Sequence, residues 1–518
     1  MNEDIIAAID CGTQSVRVLL FNHIGSLVAF EKVGIEPYFS VRPGWAEQDP
    51  YVYENAIIEA CHKLRTRAPK IWEQVKGIVL TTQRDTCVLV DKKGEVLRPA
   101  ILWLDQRMAK SPSRIPFIYD LGFRLVGELE TAKISQKKSK AYWIKENEPE
   151  VWKKIYKFLL LSGWLNYRLT GRMADSRGSQ IGHIPLNYKI RDWPKSKHDY
   201  RWYVFGIDYD KLPELVEPGE VIGYITSDAA ERTGFRAGTP VFAGASDKGC
   251  ETLGTGCLDP SSACVSLGTT VTLQVTSPKY LEPLKFMPSY PAAIPGFYNP
   301  EVEIFRGFWM VTWFKKEFGH YEAEVAQEQG VPVEEVLNEF LKSTPAGSMG
   351  LLLQPYWGAG LKTPEARGAI VGFGDVHTRA HMYRSIIEGI SYALRDAAEK
   401  IEKVSHIPIR TVAASGGGSS SDSICQILAD VMDKPVLKVH TSEGSGLGAA
   451  IIGFYALGVY GSFREAVEKM VRYEKRFEPN PKNVTIYTDL YNGVYKRLYE
   501  SLKPLYKEMR RITGYPEY

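Results

Sequence analysis

A carboxylate and a glycine–threonine turn lie close together in the middle of the chain, in GASDKGCETLGTGCLDPSSACVSLGTT at 244–270. Asp247 follows the apolar run TPVFA, which predicts a position just beyond a buried strand, where open α/β sheets place catalytic groups. Gly268 and Thr269 follow a second apolar run, and small residues there let the backbone approach an anion. A carboxylate beside an anion-sized turn indicates phosphate chemistry in a cleft.

A second glycine–threonine turn occurs near the amino terminus. The apolar runs IIAAI and VRVLLF flank it, which predicts a β-hairpin with Thr13, Gln14 and Ser15 at its tip. Backbone N–H groups and hydroxyls of such a turn, with Arg17, can bind phosphate oxygens, and Asp10 can hold Mg²⁺ directly or through water. An ordinary hairpin turn is the alternative. Recurrence of the same turn in the second half favours one phosphate hairpin in each half of the chain.

Polar side chains also follow a third predicted strand, GIVL at 77–80. Gln83, Arg84 and Asp85 come after it, and such groups suit hydrogen bonding to a hydroxylated ligand; a surface ion pair is the alternative. Trp103, in AILWLDQR, is expected in the same region. Its side chain is amphipathic enough to line a sugar site, although a tryptophan on an apolar strand also serves as core.

A glycine-rich turn precedes a predicted helix in the second half. TVAASGGGSSSDSICQILADVM indicates strand, turn and helix, and Gly417 and Gly418 could admit a nucleotide's phosphates or adenosine at the helix amino terminus. The chain contains neither a Walker A loop nor a GxGxxG turn. Upstream, Thr378 is the predicted amino-terminal cap of a long amphipathic helix.

Length and composition place these motifs in a large globular protein. The 518 residues are too many for one core, so we expect two large domains. The net charge of +3 argues against nucleic acid and membranes as partners. The longest uncharged run, 444–463, contains six glycines and predicts a buried helix rather than a membrane span. Seven single cysteines and an acidic amino terminus without a secretory signal predict reduced thiols and a cytoplasmic location.

The chain resembles the FGGY carbohydrate kinases over nearly its full length. The stretches that carry the resemblance are AIDCGTQSVRVLLF, AILWLDQR, RLTG, GASDKGCETLGTG, ARGAIVGFGDVHTRAHMYRSIIEGISYALRD, SGGGSSSDSICQILADVM and EGSGLGAAIIGFYALG. The carboxy-terminal family signature departs at Phe373, where a smaller aliphatic residue is usual. Lys140 fits the amino-terminal signature, whereas Lys137 and Ala141 depart from it.

The resemblance implies an α/β fold of two actin-like, ribonuclease-H-like domains around a central cleft. Residues 1–255 would form the sugar-side domain and residues 256–518 the ATP-side domain with a helical tail. Asp247 matches the family's catalytic base, which accepts the proton of a substrate hydroxyl as its oxygen attacks the γ-phosphorus of ATP. Asp10 matches the aspartate associated with Mg²⁺.

The two remaining sets of implied site residues come from both halves of the chain. The implied ATP-binding residues are Thr13, Gln14, Ser15, Arg17, Gly268, Thr269, Gly417 and Gly418. The implied substrate-binding residues are Gln83, Arg84, Asp85, Trp103, Asp247 and Lys248.

The substrate stays open among three classes. QRDT at 83–86 with Trp103 resembles glycerol kinases, GASD resembles gluconokinases, and AILWLDQR resembles xylulokinases. Arg84 with Lys248 could favour an acidic sugar. We therefore expect the protein to use ATP and Mg²⁺ to phosphorylate a terminal hydroxyl of a small polyol, a ketose such as xylulose, or a sugar acid. A non-catalytic actin-like ATPase or pseudokinase regulator is the alternative function. Dimers are common in the family, so the resemblance also implies a homodimer.

Overall fold

The first half of the chain builds a mixed sheet and the helices that cover it. The structure is a computed structural model that describes residues 4–36, 38–357 and 365–515. The strands of this half are β1 (Ile5–Cys11), β2 (Ser15–Asn22), β3 (Leu27–Gly34), β4 (Glu47–Gln48), β5 (Val75–Thr82), β6 (Cys87–Val90), β7 (Ala100–Ile101), β8 (Lys157–Leu160), β9 (Ala174–Ser176), β10 (Glu214–Val216), β11 (Val221–Tyr224) and β12 (Pro240–Phe242). Its helices are α1 (Tyr51–Arg67), α2 (Pro69–Trp72), α3 (Phe117–Val126), α4 (Leu129–Lys138), α5 (Lys140–Asn147), α6 (Pro149–Lys154), α7 (Leu161–Thr170), α8 (Tyr200–Phe205), α9 (Ser227–Thr233) and α10 (Asp247–Gly254).

The second half builds another mixed sheet with its own helices. Its strands are β13 (Ser262–Leu267), β14 (Val271–Val275), β15 (Tyr290–Pro291), β16 (Tyr298–Asn299), β17 (Glu301–Ile304), β18 (Leu352–Gln354), β19 (Ala369–Val371), β20 (Thr411–Ser415), β21 (Val436–Val439) and β22 (Tyr473–Phe477). Its helices are α11 (Trp309–Phe318), α12 (His320–Gln329), α13 (Val333–Ser343), α14 (Arg379–Ser405), α15 (Asp422–Met432), α16 (Gly444–Ala456), α17 (Phe463–Met470), α18 (Pro481–Leu490) and α19 (Lys496–Thr513).

The two large sheets share one topology. The strand order is β11-β12-β5-β1-β2-β3 in the first and β22-β21-β20-β13-β14-β17 in the second. In each sheet an antiparallel hairpin, β1–β2 or β13–β14, pairs in parallel with the next strand, β5 or β20. A second parallel pairing and an antiparallel edge strand then follow in both. The repeat predicted from two short turns therefore extends to a whole sheet in each half.

The first five residues of strand β1, before Asp10, are all apolar. Ile5 and Ile9 pack with Tyr53 of α1 on one face of the sheet, whereas Ile6 and Ala8 pack in a separate cluster on the other. Successive side chains of a strand point to opposite faces, so a strand covered on both sides reads as a continuous apolar run.

Helix α16 belongs to the second half of the chain but packs on the first sheet. Leu447, Ile451 and Phe454 are buried in one cluster with Ile6 of β1 and Phe21 of β2. The helix within the uncharged run is thus part of the core, and none of the described helices has the length and apolar character needed to cross a membrane. A domain boundary at residue 255 stays a prediction, because α16 joins the two halves.

The long helix of the second half begins where the sequence predicts. Thr378 caps α14, and the side chain of His381 accepts the backbone N–H of Thr378 in return. Ile386 and Ile390 are buried against the second sheet, which is covered on that face by α14 and α15. The helical spacing of apolar residues therefore predicted both the helix and its buried face.

Candidate active site

Helix α10 places Asp247 at the boundary between the two halves. The chain leaves β12 and turns at Gly244, where a Cβ would overlap the carbonyl oxygen of Leu80. Ser246 caps the helix, and its hydroxyl accepts the N–H of Gly249 at 3.2 Å. Asp247 is the first helical residue, as the strand-end position predicts, and Oδ1 accepts the backbone N–H of Lys248 at 2.8 Å. The side chain is 31% exposed, so the carboxylate is open to a ligand.

The first hairpin brings Asp10 and Arg17 opposite each other in the β1–β2 ladder. Nη1 of Arg17 lies 3.2 Å from Oδ2 of Asp10 and 3.1 Å from Oε2 of Glu443, just before α16. Burial raises the pKa of Asp10 to about 7; Arg17 opposes the shift, and Asp247, Glu443 and Glu251 add to it. Asp10, the residue predicted to hold Mg²⁺, is therefore a buried carboxyl with other carboxylates nearby.

This environment fits a divalent cation near Asp10. Burial and neighbouring carboxylates disfavour its negative charge, and a bound cation would favour it. The described residues contain no group of three or more histidine, cysteine, aspartate or glutamate side chains placed to share a metal. A buried carboxyl beside the first hairpin suits Mg²⁺, which commonly keeps several waters and binds one or two carboxylates together with substrate phosphates.

The two segments predicted to bind ATP in the second half adjoin each other. The carbonyl oxygens of Gly268 and Thr269 accept N–H bonds from the start of α11, which fixes the second hairpin. A Cβ at Gly418 would meet the ring of Phe308 at 2.6 Å and the side chain of Leu267 at 2.8 Å. The glycine turn after β20 thus lies against the end of β13, where the hairpin begins.

The exposure of the predicted phosphate residues differs. Gln14, Thr269 and Gly417 are exposed, whereas Ser15 is buried. Apart from its own residue and its two chain neighbours, no described atom lies within 4 Å of the position that a Cβ of Gly417 would take. Exposed groups on both hairpins and an open glycine turn fit a nucleotide whose phosphates lie between the halves. Which of these residues contact ATP stays a prediction.

A chain of hydrogen bonds links the first hairpin to the predicted sugar residues. Thr13 Oγ1 donates to Gln83 Oε1 at 2.7 Å and accepts from Trp103 Nε1 at 3.1 Å. Gln83 Nε2 in turn donates to the hydroxyl of Tyr53 at 2.6 Å. Because both ends of the Gln83 amide have protein partners, this side chain fixes the hairpin. Trp103 remains 37% exposed, which leaves ring surface for a sugar.

Arg84 connects the loop between β5 and β6, residues 83–86, with the second sheet. This loop is called the sugar-side loop below. Its Nη1 lies 2.9 Å from both carboxylate oxygens of Glu301 in β17. Its Nε lies 3.4 Å from Ser246 Oγ and 3.8 Å from Asp247 Oδ1. Burial favours the neutral guanidine, but Glu301 and Asp247 outweigh it and hold the pKa of Arg84 above its usual value. The guanidinium therefore stays charged beside Asp247.

Lys248 is also paired with a carboxylate. Its Nζ lies 2.9 Å from Oε2 of Glu251, one turn along α10, and donates to the hydroxyl of Ser266 in β13. Burial favours the neutral amine, but Glu251 and Asp247 raise the pKa of Lys248 above its usual value. This ammonium joins α10 to the second sheet beside the second hairpin.

Asp85 lies in a compact ionic cluster. Its backbone φ is 48°, a left-handed conformation that aspartate adopts more readily than most residues. One carboxylate oxygen accepts the backbone N–H of His183 at 2.9 Å; the other lies 2.7 Å from His183 Nδ1 and 3.0 Å from Lys140 Nζ. Burial would raise the pKa of Asp85, but Lys140 and His183 hold it well below its usual value. The ionised carboxylate therefore holds His183 by Nδ1, and Nε2 has no hydrogen-bond partner among the residues that the structure describes.

Sequence reasoning missed three carboxylates and one histidine that form ion pairs in this site, and it held a signal for only one of them. Glu251 follows Lys248 at helical spacing in the same motif, which could have indicated the pair. The residues without such a signal are His183, Glu301 and Glu443. Their importance depends on partners far away in the chain.

Comparisons with known proteins agree with this geometry. Sequence profiles of the FGGY family of carbohydrate kinases match residues 5–254 with the N-terminal domain and residues 263–457 with the C-terminal domain. The chain belongs to the FGGY family of carbohydrate kinases. It is therefore a sugar kinase, a phosphotransferase with an alcohol group as acceptor, and FGGY kinases use ATP as the phosphate donor. The non-catalytic alternative has no support among these matches.

Individual relatives cover nearly the whole of this FGGY kinase. It is 29% identical over 503 residues to the xylulose kinase of Lactococcus lactis, with 96% of both chains covered. It is 29% identical over 507 residues to the xylulose kinase of Bacillus subtilis, covering 96% and 97%.

Solved structures confirm the fold of two actin-like domains. The gluconate kinase of Lactobacillus acidophilus superposes with a TM-score of 0.82 at 23% identity, covering 98% of this chain and all of the other. The xylulose kinase of Rhodospirillum rubrum superposes with a TM-score of 0.80 at 25% identity, covering 97% and 100%.

Proposed function

We propose that this enzyme transfers the γ-phosphate of ATP to a terminal hydroxyl of a small uncharged ketose such as xylulose. Xylulose kinases are among its relatives at nearly full coverage of both chains. One structural observation supports the choice of an uncharged sugar: every cation of the site described above has a carboxylate partner. The pairs are Arg17 with Asp10 and Glu443, Arg84 with Glu301, Lys140 with Asp85, and Lys248 with Glu251.

A sugar acid would meet these four cations with their charge already balanced by a carboxylate. At Arg84 its carboxylate would lie beside the negative charge of Glu301, and at Lys248 beside that of Glu251; these two side chains are only 4% and 7% exposed. Two carboxylates that share one buried cation repel each other, which disfavours binding of the acid. An uncharged sugar needs hydrogen-bond donors and acceptors alone, so the pairs can stay intact.

Asp247 is the general base of the proposed reaction. On the sugar side, Oδ1 of Asp247 lies 3.8 Å from Nε of Arg84. On the phosphate side, the charge of Asp247 contributes to the raised pKa of Asp10. Its carboxylate accepts the proton of the attacking hydroxyl, and Arg84 keeps that carboxylate oriented. In phosphoryl transfer the proton leaves late, so a positioned carboxylate of ordinary basicity suffices.

The two halves supply different parts of this chemistry. Both hairpins bind the phosphates of ATP, and contacts between the halves exclude water that would compete as acceptor. Asp10 would hold Mg²⁺, which neutralises phosphate charge when it is bound. The stacking surface for the sugar is Trp103, and His183 donates or accepts a hydrogen bond through Nε2.

Phosphorylation assays test this proposal directly. ADP release is measured with ATP and Mg²⁺ against xylulose, ribulose, glycerol and gluconate. We expect a kcat/KM for one of the ketoses at least tenfold above that for gluconate. A higher kcat/KM for gluconate would overturn the choice of an uncharged sugar, and a higher value for glycerol would replace the ketose by a polyol.

Location and assembly remain predictions. All seven cysteines are free and buried in the structure, which supports a reducing compartment such as the cytoplasm. The predicted homodimer rests on analogy with the family. The predicted lack of nucleic-acid and membrane partners rests on the balanced net charge.

A further inference from the structure

Glu301 holds Arg84 through a buried network that spans both halves. Gln274 of β14 donates its amide to Glu301, and Thr252 of α10 donates to the amide oxygen of Gln274 at 2.8 Å. Arg84 completes the network from the sugar-side loop. The arginine and its carboxylate partner are 217 positions apart in the sequence, and their side chains are 16% and 4% exposed.

The position of Glu301 on its strand explains its reach into the site. Val302 and Ile304 belong to the core of the second half, so Glu301 and Glu303 point to the opposite face of β17. On the neighbouring strand β14, Gln274 lies directly opposite Glu301 in the ladder. This face of the second sheet therefore presents carboxylates to the sugar-side loop.

The network leaves one part of Arg84 unused. Nη1 is bound by Glu301 and Nε faces Ser246, whereas Nη2 is buried and has no hydrogen-bond partner among the described residues. A buried N–H donor without a partner is costly, so a ligand that satisfies it gains affinity. The guanidinium carbon also lies 5.0 Å from the ring centroid of Tyr290, which restricts its plane further.

We propose that Glu301 is a positioning residue that sets sugar specificity from the ATP-side half of the enzyme. It holds Arg84 so that Nη2 donates to an oxygen of the sugar, and its negative charge cancels the attraction of Arg84 for a sugar acid. This inference rests on the proposed use of an uncharged ketose. It assigns the discrimination against acids to one carboxylate outside the sugar-side loop.

Three variants separate charge from position. Glu301→Gln keeps the size and removes the charge, Glu301→Asp keeps the charge and shortens the reach, and Glu54→Gln is the matched control. Glu54 is also a buried carboxylate paired with arginines, Arg168 and Arg232, but it lies on α1. For each protein, kcat/KM is measured for xylulose and for gluconate, and gluconate binding is measured by calorimetry.

The ratio of the two kcat/KM values decides the inference. In Glu301→Gln we expect the gluconate-to-xylulose ratio to rise at least tenfold and gluconate to bind more tightly. Glu301→Asp should lose activity on xylulose but keep the gluconate-to-xylulose ratio within about threefold of the wild type. The control Glu54→Gln should keep both the activity on xylulose and this ratio within about threefold of the wild type. These changes are expected because an unpaired buried arginine attracts carboxylates.

Two results would overturn the inference, and they differ in what they say about the function. If the wild type prefers xylulose and Glu301→Gln loses activity with an unchanged ratio, Glu301 is only structural and the proposed function stands. If the wild type prefers gluconate, both the proposed function and this role of Glu301 are wrong. Should Glu301→Gln not fold, Gln274→Met removes the donor that orients Glu301 and keeps its charge. Activity on xylulose should then fall with a ratio within about threefold of the wild type, and a tenfold rise in the ratio would overturn the assignment of discrimination to the charge of Glu301.

Discussion

Gly448 of α16 lies directly against the carbonyl oxygen of Cys250 in α10, so that a Cβ at position 448 would overlap that oxygen. Gly254 makes the same kind of approach to the backbone of Gly444. Helix α10 begins with Asp247, so glycines allow a helix of the second half to support the proposed base at backbone-to-backbone distance. The glycine-rich sequence of α16 thus has a packing reason.

Gly448→Ala tests this close approach. The added methyl group must push α10 away, so we expect a loss of about 1–3 kcal/mol in the free energy of unfolding, with a fall in kcat as Asp247 moves. Gly122→Ala is the control, because Gly122 lies in α3 and an added Cβ there would meet no described atom within 4 Å beyond its chain neighbours and the backbone of its own helix. That control should gain up to about 1 kcal/mol from helix propensity. Equal effects of the two changes would contradict the packing argument.

Asp247→Asn tests the general base. The amide keeps the shape of the side chain but cannot take the proton, so kcat should fall by about 10²–10⁴. Binding of ATP, measured by calorimetry, should change less than threefold. The matched control is Asp228→Asn, another acid in the first turn of a short helix, which should keep wild-type kcat. A kcat for Asp247→Asn within tenfold of the wild type would remove Asp247 from this role.

His183 gives a prediction about sugar binding. Its Nδ1 is held by Asp85, and Nε2, which has no partner among the described residues, is proposed to make one hydrogen bond to the sugar. Loss of one such bond costs about 1.4 kcal/mol, so His183→Ala should raise KM for the ketose about tenfold and leave KM for ATP unchanged. His198→Ala, on an exposed loop, is the control. Equal increases in both KM values would show a general structural effect instead.

Lys248 and Glu251 give a prediction about stability. The side chains of this pair are 22% and 7% exposed, so Lys248→Met leaves a buried carboxylate without its partner. We expect a loss of about 3–5 kcal/mol in the free energy of unfolding. Adding Glu251→Gln to the same chain should recover more than half of that loss, as measured by urea denaturation. A double variant no more stable than Lys248→Met would show that the ion pair is not the cause.

The raised pKa of Glu303 leads us to expect that the free energy of unfolding depends on pH. Burial and the nearby Glu301 raise the pKa of Glu303 to about 7 from 4.5, while Arg84 and Lys248 oppose the shift. A carboxyl with a raised pKa in the folded state contributes stability below pH 4.5, and this contribution is lost as pH rises through 7. The shift corresponds to about 3 kcal/mol.

Glu303→Gln removes this titration and is the variant to measure. Its stability relative to the wild type should rise between pH 5 and about pH 8, because glutamine carries no charge to bury. Urea denaturation at several pH values gives the difference between the two proteins, in which the other titrating groups cancel. A difference that stays constant over this range would show that Glu303 does not titrate there.

Local sequence determined the elements that carry the proposed site. The two glycine–threonine hairpins, the position of Asp247 beyond a strand and the cap at Thr378 all follow from patterns within about ten residues. Such patterns are predictable because strand alternation, turn residues and helix caps act between near neighbours in the chain.

Only the tertiary structure decided how charge is distributed in the site. Arg84 and Lys248 suggested an acidic sugar when they were considered alone, whereas the fold pairs them with Glu301 and Glu251. Arg17 is likewise joined to Glu443, 426 positions away in the chain. The periodicity of a strand tells which face a side chain occupies, but its partner depends on which sheet is packed opposite. The physical reason is that buried charges are set by neighbours in space, and the two sheets bring those neighbours together only after the chain has folded.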